Sequence, residues 1–385
     1  MELNKNALLA LDTIRQKPTK GIPSWLIHPM EHRIIDRLAG VPEGTYKNKP
    51  VETYIGMQKK VGTCMLDQYL AVNPLTMEAH GYESDGTTAT TGLKQIVCDG
   101  MIIDAPEAVV AHLEQKVFPQ LCAGIDQWIE KPEAKAKETI RQICHDEETI
   151  QLLLGPNILK TPFAVAPFPC FAYNTYGYEN YFMAYALYPE VMERHFSLQA
   201  DLAVHKNRAS ARAYLEGELP PLLRLDHDMA DSRGTLVDIK SLDKIWFPHF
   251  ARAIEPLLKA GVKLIWHCDG NLSQMVPRLL EAGLSGFQGF QYEDGMDYEK
   301  ICRMKTREGN SLIIIAGVSV TRTLPLGKPD DIRREMKWLV EQGPNTGLFL
   351  GASSSIAPGV PWENIKTLVD GLKYYLAHGR DGINK

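Results

Sequence analysis

Strand-length apolar runs alternate with helix-period segments along most of the chain. Mostly apolar runs at 22–27, 66–72, 163–167, 222–225, 262–266, 286–290, 312–316 and 347–350 suit strands covered on both faces. Between most of them lie helical patterns, at 105–129, 179–215, 245–260, 272–282, 328–342 and 361–376. In the last, Pro361 suits a first turn, and Trp362, Ile365, Leu368, Val369 and Leu372 make one apolar stripe. Eight such runs with intervening helices predict an α/β fold, a (β/α)8 TIM barrel forming a single domain over 21–385. Residues 1–20 read as a helical extension packed on it. The segment 78–104 is the least regular and reads as a loop or small hairpin over the rim.

Composition narrows the setting. Of 385 residues, 44% are hydrophobic, ample for such a core. Lys and Arg number 42 against 47 Asp and Glu, and the net charge of -5 argues against a nucleic-acid groove or an anionic membrane surface. No stretch approaches the roughly 20 apolar residues of a membrane span, and no basic-then-apolar leader opens the sequence. Seven dispersed cysteines without a Cys-x-x-Cys pair indicate reduced thiols and a cytoplasmic location.

The fifth run ends in Trp266-His-Cys-Asp-Gly. Strand alternation puts His267 and Asp269 on one side and Cys268 on the other. The sixth run leads into Tyr292 and Glu293. In a barrel, His267, Asp269 and Glu293 converge on the C-terminal rim, where such folds keep their chemistry. One imidazole and two carboxylates can hold zinc with a position open for substrate. The plain alternative is a strand end whose polar groups bond nearby backbone. Asp226-His-Asp-Met-Ala-Asp-Ser-Arg, after the fourth run, is the densest ionisable cluster, and one of Asp226, His227 or Asp228 is expected to reach substrate. Other rim candidates are His28 and Glu31 after the first run, Asp67 after the second, and Tyr173, Asn174 and Tyr176 after the third. Tyr292 and Ser354 complete the set. For the tyrosines a core aromatic cluster is the competing reading, for His28 a helix-start cap.

Several motifs occur in the order of a known family: Met229-Ala-Asp-Ser-Arg-Gly-Thr-Leu, Phe247-Pro-His-Phe, Trp266-His-Cys-Asp-Gly-Asn, Leu279-Leu-Glu-Ala-Gly, Ile314-Ile-Ala-Gly-Val, Leu326-Gly-Lys-Pro and Pro358-Gly-Val-Pro-Trp-Glu-Asn-Ile. Together they resemble the uroporphyrinogen decarboxylase superfamily from about Ile22 onward. The resemblance implies a TIM barrel of one of two kinds, a tetrapyrrole decarboxylase or a zinc-dependent methyltransferase serving corrinoids and thiols. The decarboxylases carry Arg-x-x-Gly-Arg after the first strand, and here that loop reads Trp25-Leu-Ile-His-Pro-Met-Glu-His-Arg. The methyltransferases carry His-x-Cys, a later Glu and a Cys near the eighth strand. Those positions fall on His267, Asp269, Glu293 and, approximately, Ser354, so both cysteines are replaced.

A His, Asp and Glu set is harder than one with thiolates and suits an oxygen leaving group. Ala10-Leu-Asp-Thr-Ile and Ile22-Pro-Ser-Trp-Leu-Ile-His-Pro-Met-Glu-His are similar to the first methyltransferases of anaerobic O-demethylase systems. The resemblance therefore implies methyl transfer from a methoxylated aromatic to the cobalamin of a separate corrinoid protein. No Asp-x-His-x-x-Gly corrinoid motif stands in this chain, so that partner is required. His267, Glu293, Asp228 and His227 are the catalytic candidates, with zinc on His267, Asp269 and Glu293. Two alternatives stay open: a porphyrinogen-type decarboxylase, and a metal-free barrel that binds a small ligand. The sequence does not give the oligomeric state, a homodimer included.

Overall fold

The computed structural model describes residues 1–72 and 95–384, with a short antiparallel pair, Met77–Glu78 and Gly81–Tyr82, between them. Of the segment 78–104, residues 79–80 and 83–94 lie outside the described residues. Its later part is a hairpin of Val97–Cys98 with Met101–Ile102.

Eight parallel staves close into a ring. Five form one sheet in consecutive order: Leu222–Asp226, Lys263–His267, Gly286–Gln288, Ile313–Val318 and Leu348–Ala352. Met65–Leu66 and Leu159–Lys160 form a second parallel pair. Three single bridges join the sheets. Ser24 pairs with Leu350, Trp25 with Met65, and Phe163 with Arg224. The chain around Ser24 is thus the first stave, and the ring runs from it through all eight and back. The barrel expected from the apolar runs is the observed architecture.

Two staves differ from expectation. The second is only Met65–Leu66, because the polar residues Asp67 and Gln68 end its ladder. The third lies at Leu159–Lys160, and the apolar run at 163–167 touches the fourth only at Phe163. Ala164 there takes a φ of 56°, a left-handed conformation that breaks extended pairing.

Helices cover the ring. Pro189 cannot continue the preceding turn, so the run at 179–215 becomes Tyr178–Leu187 and Pro189–Glu216. Trp246 likewise separates Ile239–Ile245 from Phe247–Lys259. The extension is the helix Lys5–Ile14, which buries Ala7, Ala10, Thr13 and Ile14. Trp246, Phe250, Trp266 and Phe168 interlock outside the fifth stave, with Trp246 and Phe250 stacked at 4.6 Å. All seven cysteines are free. Among the described residues no helix is long and apolar enough to cross a membrane.

Candidate active site at the C-terminal rim

A cavity of about 480 Å³ opens where the staves end. Parallel register sets His267 beside Asp226 of the fourth stave and Gln288 of the sixth. Those three side chains line the cavity together with His28, Asp228, Asp269 and Ser354. His267 is buried, and its Nδ1 lies 3.3 Å from the Gln288 carbonyl oxygen. That oxygen can only accept, so Nδ1 donates to it and Nε2 is the ring nitrogen left toward Asp269. The ring fits because Gly289, with a φ of 73°, has no side chain. A Cβ there would stand 2.6 Å from Nδ1. Gly289→Ala is expected to push the imidazole off its seat. It should weaken metal binding and activity by about 10- to 100-fold in a folded protein, as measured by metal titration and circular dichroism.

Ligand atoms of Asp228, His267 and Asp269 all lie within 4.8 Å of one another. His267 Nε2 is 4.0 Å from Asp269 Oδ1, a buried oxygen without a hydrogen-bond partner. The Asp269 backbone N–H donates to Asp228 Oδ1 at 2.9 Å, which fixes the second carboxylate. Burial pushes the Asp269 carboxyl up. His267 opposes that shift, and the charges of Asp228, Asp226 and Glu293 add to it. An imidazole nitrogen facing a partnerless buried carboxylate oxygen, inside an excess of negative charge, fits a divalent cation. Zinc bonds of about 2.0–2.1 Å need ligand atoms about 3.3 Å apart, so a small inward movement of these side chains suffices. Cys268 alternates away, and its sulfur accepts from the Met229 N–H at 3.2 Å.

Glu293 lies in a 3-10 turn just behind this cluster. Its Oε1 accepts from the hydroxyls of Ser319, at 2.6 Å, and Thr321, while Oε2 is buried without a partner. Thr321 itself lines the cavity. Asp228 occupies the place in the tight cluster that sequence spacing gives to Glu293. Tyr292 turns outward, donating to Glu335 and meeting Trp338 edge-on at 5.1 Å. Burial pushes the Glu335 carboxyl up to about 7, against the opposing Ser319 N–H, which donates to it at 2.6 Å.

The remaining candidates sit outside the cavity. Asp67 accepts from Arg224 Nε at 2.6 Å, from Trp25 Nε1 at 2.9 Å and from the Gln68 N–H at 2.8 Å. Burial alone would push Asp67 up, but the Arg224 guanidinium outweighs it and holds the carboxyl low. His227 Nε2 accepts from the Phe171 N–H at 2.9 Å, and its ring stacks on Tyr173. Burial pushes that imidazole down to about 4, so it is neutral and occupied. Tyr173 donates to the Asp228 carbonyl, Tyr176 meets His112 Nδ1 at 2.8 Å, and Asn174 is exposed.

Sequence reasoning missed Arg224 and Gln288. Arg224 lines the cavity floor between Trp25 and Phe163, and binds Asp226 Oδ2 at 2.6 Å. A charge inside an otherwise apolar strand was the available signal. Gln288 donates to the Ser353 carbonyl at 3.0 Å and leaves Oε1 buried without a partner.

The family model described as Uroporphyrinogen decarboxylase (URO-D) matches residues 129–375, well over half of the sequence. The chain belongs to the uroporphyrinogen decarboxylase family. Comparison with curated protein sequences gives no match. Among solved structures, a methyltransferase from Methanosarcina mazei is similar with a TM-score of 0.55 and 17% identity. The likeness covers 97% of this chain and 99% of that one, and at this identity it is a likeness of fold. The cavity is acidic. Asp226, Asp228 and Asp269 line it, and its single arginine is already paired with Asp67 and Asp226. A polycarboxylate would meet repulsion there, with no unpaired arginine or lysine among the described lining residues to offset it.

Proposed function

We propose that this family member is a cytoplasmic methyltransferase. It binds a methoxylated aromatic and delivers the methyl group to the cobalamin of a separate corrinoid protein. The observation that carries the reading is His267 Nε2 facing the partnerless Asp269 Oδ1, beside Asp228, in an acidic cavity, a site for a cation rather than for substrate carboxylates. Asp228, His267 and Asp269 would hold zinc, with Gln288 fixing the imidazole. Bound zinc would supply Lewis acidity at the ether oxygen, stabilising the departing phenolate.

The protein side chains do the rest. Gln288 Oε1 offers an acceptor to a ring hydroxyl. His28 and Ser354 border the space left for the ring. Because Ser319 and Thr321 both donate to Oε1 of Glu293, a proton on that carboxyl sits on Oε2. Glu293, which meets the cavity through Thr321, is assigned the role of passing a proton toward the leaving oxygen. Glu293→Gln is expected to retain zinc and lose about 10²- to 10⁴-fold in rate, whereas Asp269→Asn should lose zinc. Metal content and single-turnover rates of the two variants separate the roles, and wild-type behaviour of both would remove them from the site.

The reading itself is tested by supplying cob(I)alamin with a phenyl methyl ether, a methylamine or a methylthiol and following the absorbance of methylcobalamin. An amine leaves without charge stabilisation at oxygen, so this site should favour the ether. Faster turnover of amine or thiol would refute the substrate class. A metal-free binding role predicts no zinc in the folded protein and no methylation from any donor.

A further inference from the structure

A second cavity, of about 680 Å³, lies outside the barrel wall between the third and fourth staves. It exists because the third stave leaves its ladder after Lys160 and touches the fourth only at Phe163. Helices 118–130, 132–154 and 189–216 roof the gap through Trp128, Ile143 and Lys206. Arg224 and Asp226 line this cavity and the reacting one alike, so their ion pair is a wall common to both.

The lining has a definite chemistry. Trp128, Phe163 and Phe168 present aromatic surface. Polar groups there are largely engaged: Gln199 bonds both the N–H and the carbonyl of Cys170, Ser210 donates to the Val165 carbonyl, and Arg224 is held by two carboxylates. Lys206 and the Thr139 hydroxyl are the exceptions, and Lys206 carries the only charge among them. Lys206 is half-buried, and its side chain makes no hydrogen bond or ion pair among the described residues. Aromatic walls with one uncommitted ammonium match a flat ring that carries a single negative charge. We propose that this side cavity binds an aromatic monocarboxylate, its ring among Trp128, Phe163 and Phe168 and its carboxylate on Lys206. The site does not rest on the methyl-transfer reading, because binding there needs neither metal nor corrinoid.

Calorimetric titration of 2-naphthoate into the full-length protein tests it. Saturable binding is expected, weakened about tenfold or more by Lys206→Met and restored by Lys206→Arg. Thr139→Trp, which fills the cavity from a roofing helix, should abolish it, while Ser354→Trp, which crowds the reacting cavity, should leave it intact. Absence of wild-type binding, wild-type affinity in Lys206→Met, or loss through Ser354→Trp would each overturn the proposal. Should Thr139→Trp fail to fold by circular dichroism, the Lys206 pair decides alone.

Discussion

His267→Ala is expected to bring zinc from about one ion per chain to near none and to cost about 10³-fold or more in methyl transfer. The barrel should remain folded. His267 supplies the only nitrogen of the cluster, and without it Asp228 and Asp269 are a carboxylate pair with little preference for zinc. Losing several kcal/mol of charge stabilisation at the leaving oxygen corresponds to that factor in rate. Folding should survive because the ring fills a rim position and bonds only the Gln288 carbonyl within the wall. Metal analysis, circular dichroism and single-turnover kinetics on one preparation check all three parts. A variant that keeps its zinc and full rate would end the metal reading.

Arg224→Met is expected to be the most destabilising single change at the cavity floor. The guanidinium bonds Asp67, Asp226 and Gln68 and lies 5.4 Å from the Trp25 ring and 4.8 Å from the Phe163 ring. Methionine restores much of the volume but leaves Asp67 buried without its counter-ion. Breaking one side of such a pair costs about 3–5 kcal/mol, which for a chain of 385 residues lowers the melting temperature by about 4–6 °C. Adding Asp67→Asn should recover part of the loss, since the stranded charge is then gone. Thermal unfolding of both variants measures this.

The same pair sets an acid limit. Arg224 holds the folded-state pKa of Asp67 below its unfolded value. The stabilisation is therefore complete above the ordinary aspartate range, near pH 4, and is lost as pH falls through the lower folded value. Wild-type protein should lose stability over that acidic window, and Arg224→Met should show a smaller loss there.

The barrel was legible because parallel staves are covered on both faces and read as continuous apolar runs. The third stave was misplaced for the same reason. The run at 163–167 is apolar because it walls the side cavity, while the true ladder at Leu159–Lys160 is two residues long and contains a lysine. The helix Pro132–Leu154 was overlooked, since its few apolar positions are scattered among Lys and Glu. At the rim, His267, Asp269, His28 and Ser354 were readable from their places just past strand ends. Arg224 was not, because its partner Asp67 stands 157 residues earlier and only the closed ring brings them together. The tyrosines show the opposite error. Tyr173 and Tyr176 follow a strand run, yet their hydroxyls are spent on the Asp228 carbonyl and His112. Loop position alone does not say which way a ring turns.

The most direct test compares metal-stripped and zinc-reconstituted protein, each given cob(I)alamin and a phenyl methyl ether, with methylcobalamin read by absorbance. The account predicts methylation only after zinc is restored, and none from His267→Ala under either condition. Equal rates with and without zinc, or methylation that requires a methylamine in place of the ether, would contradict it.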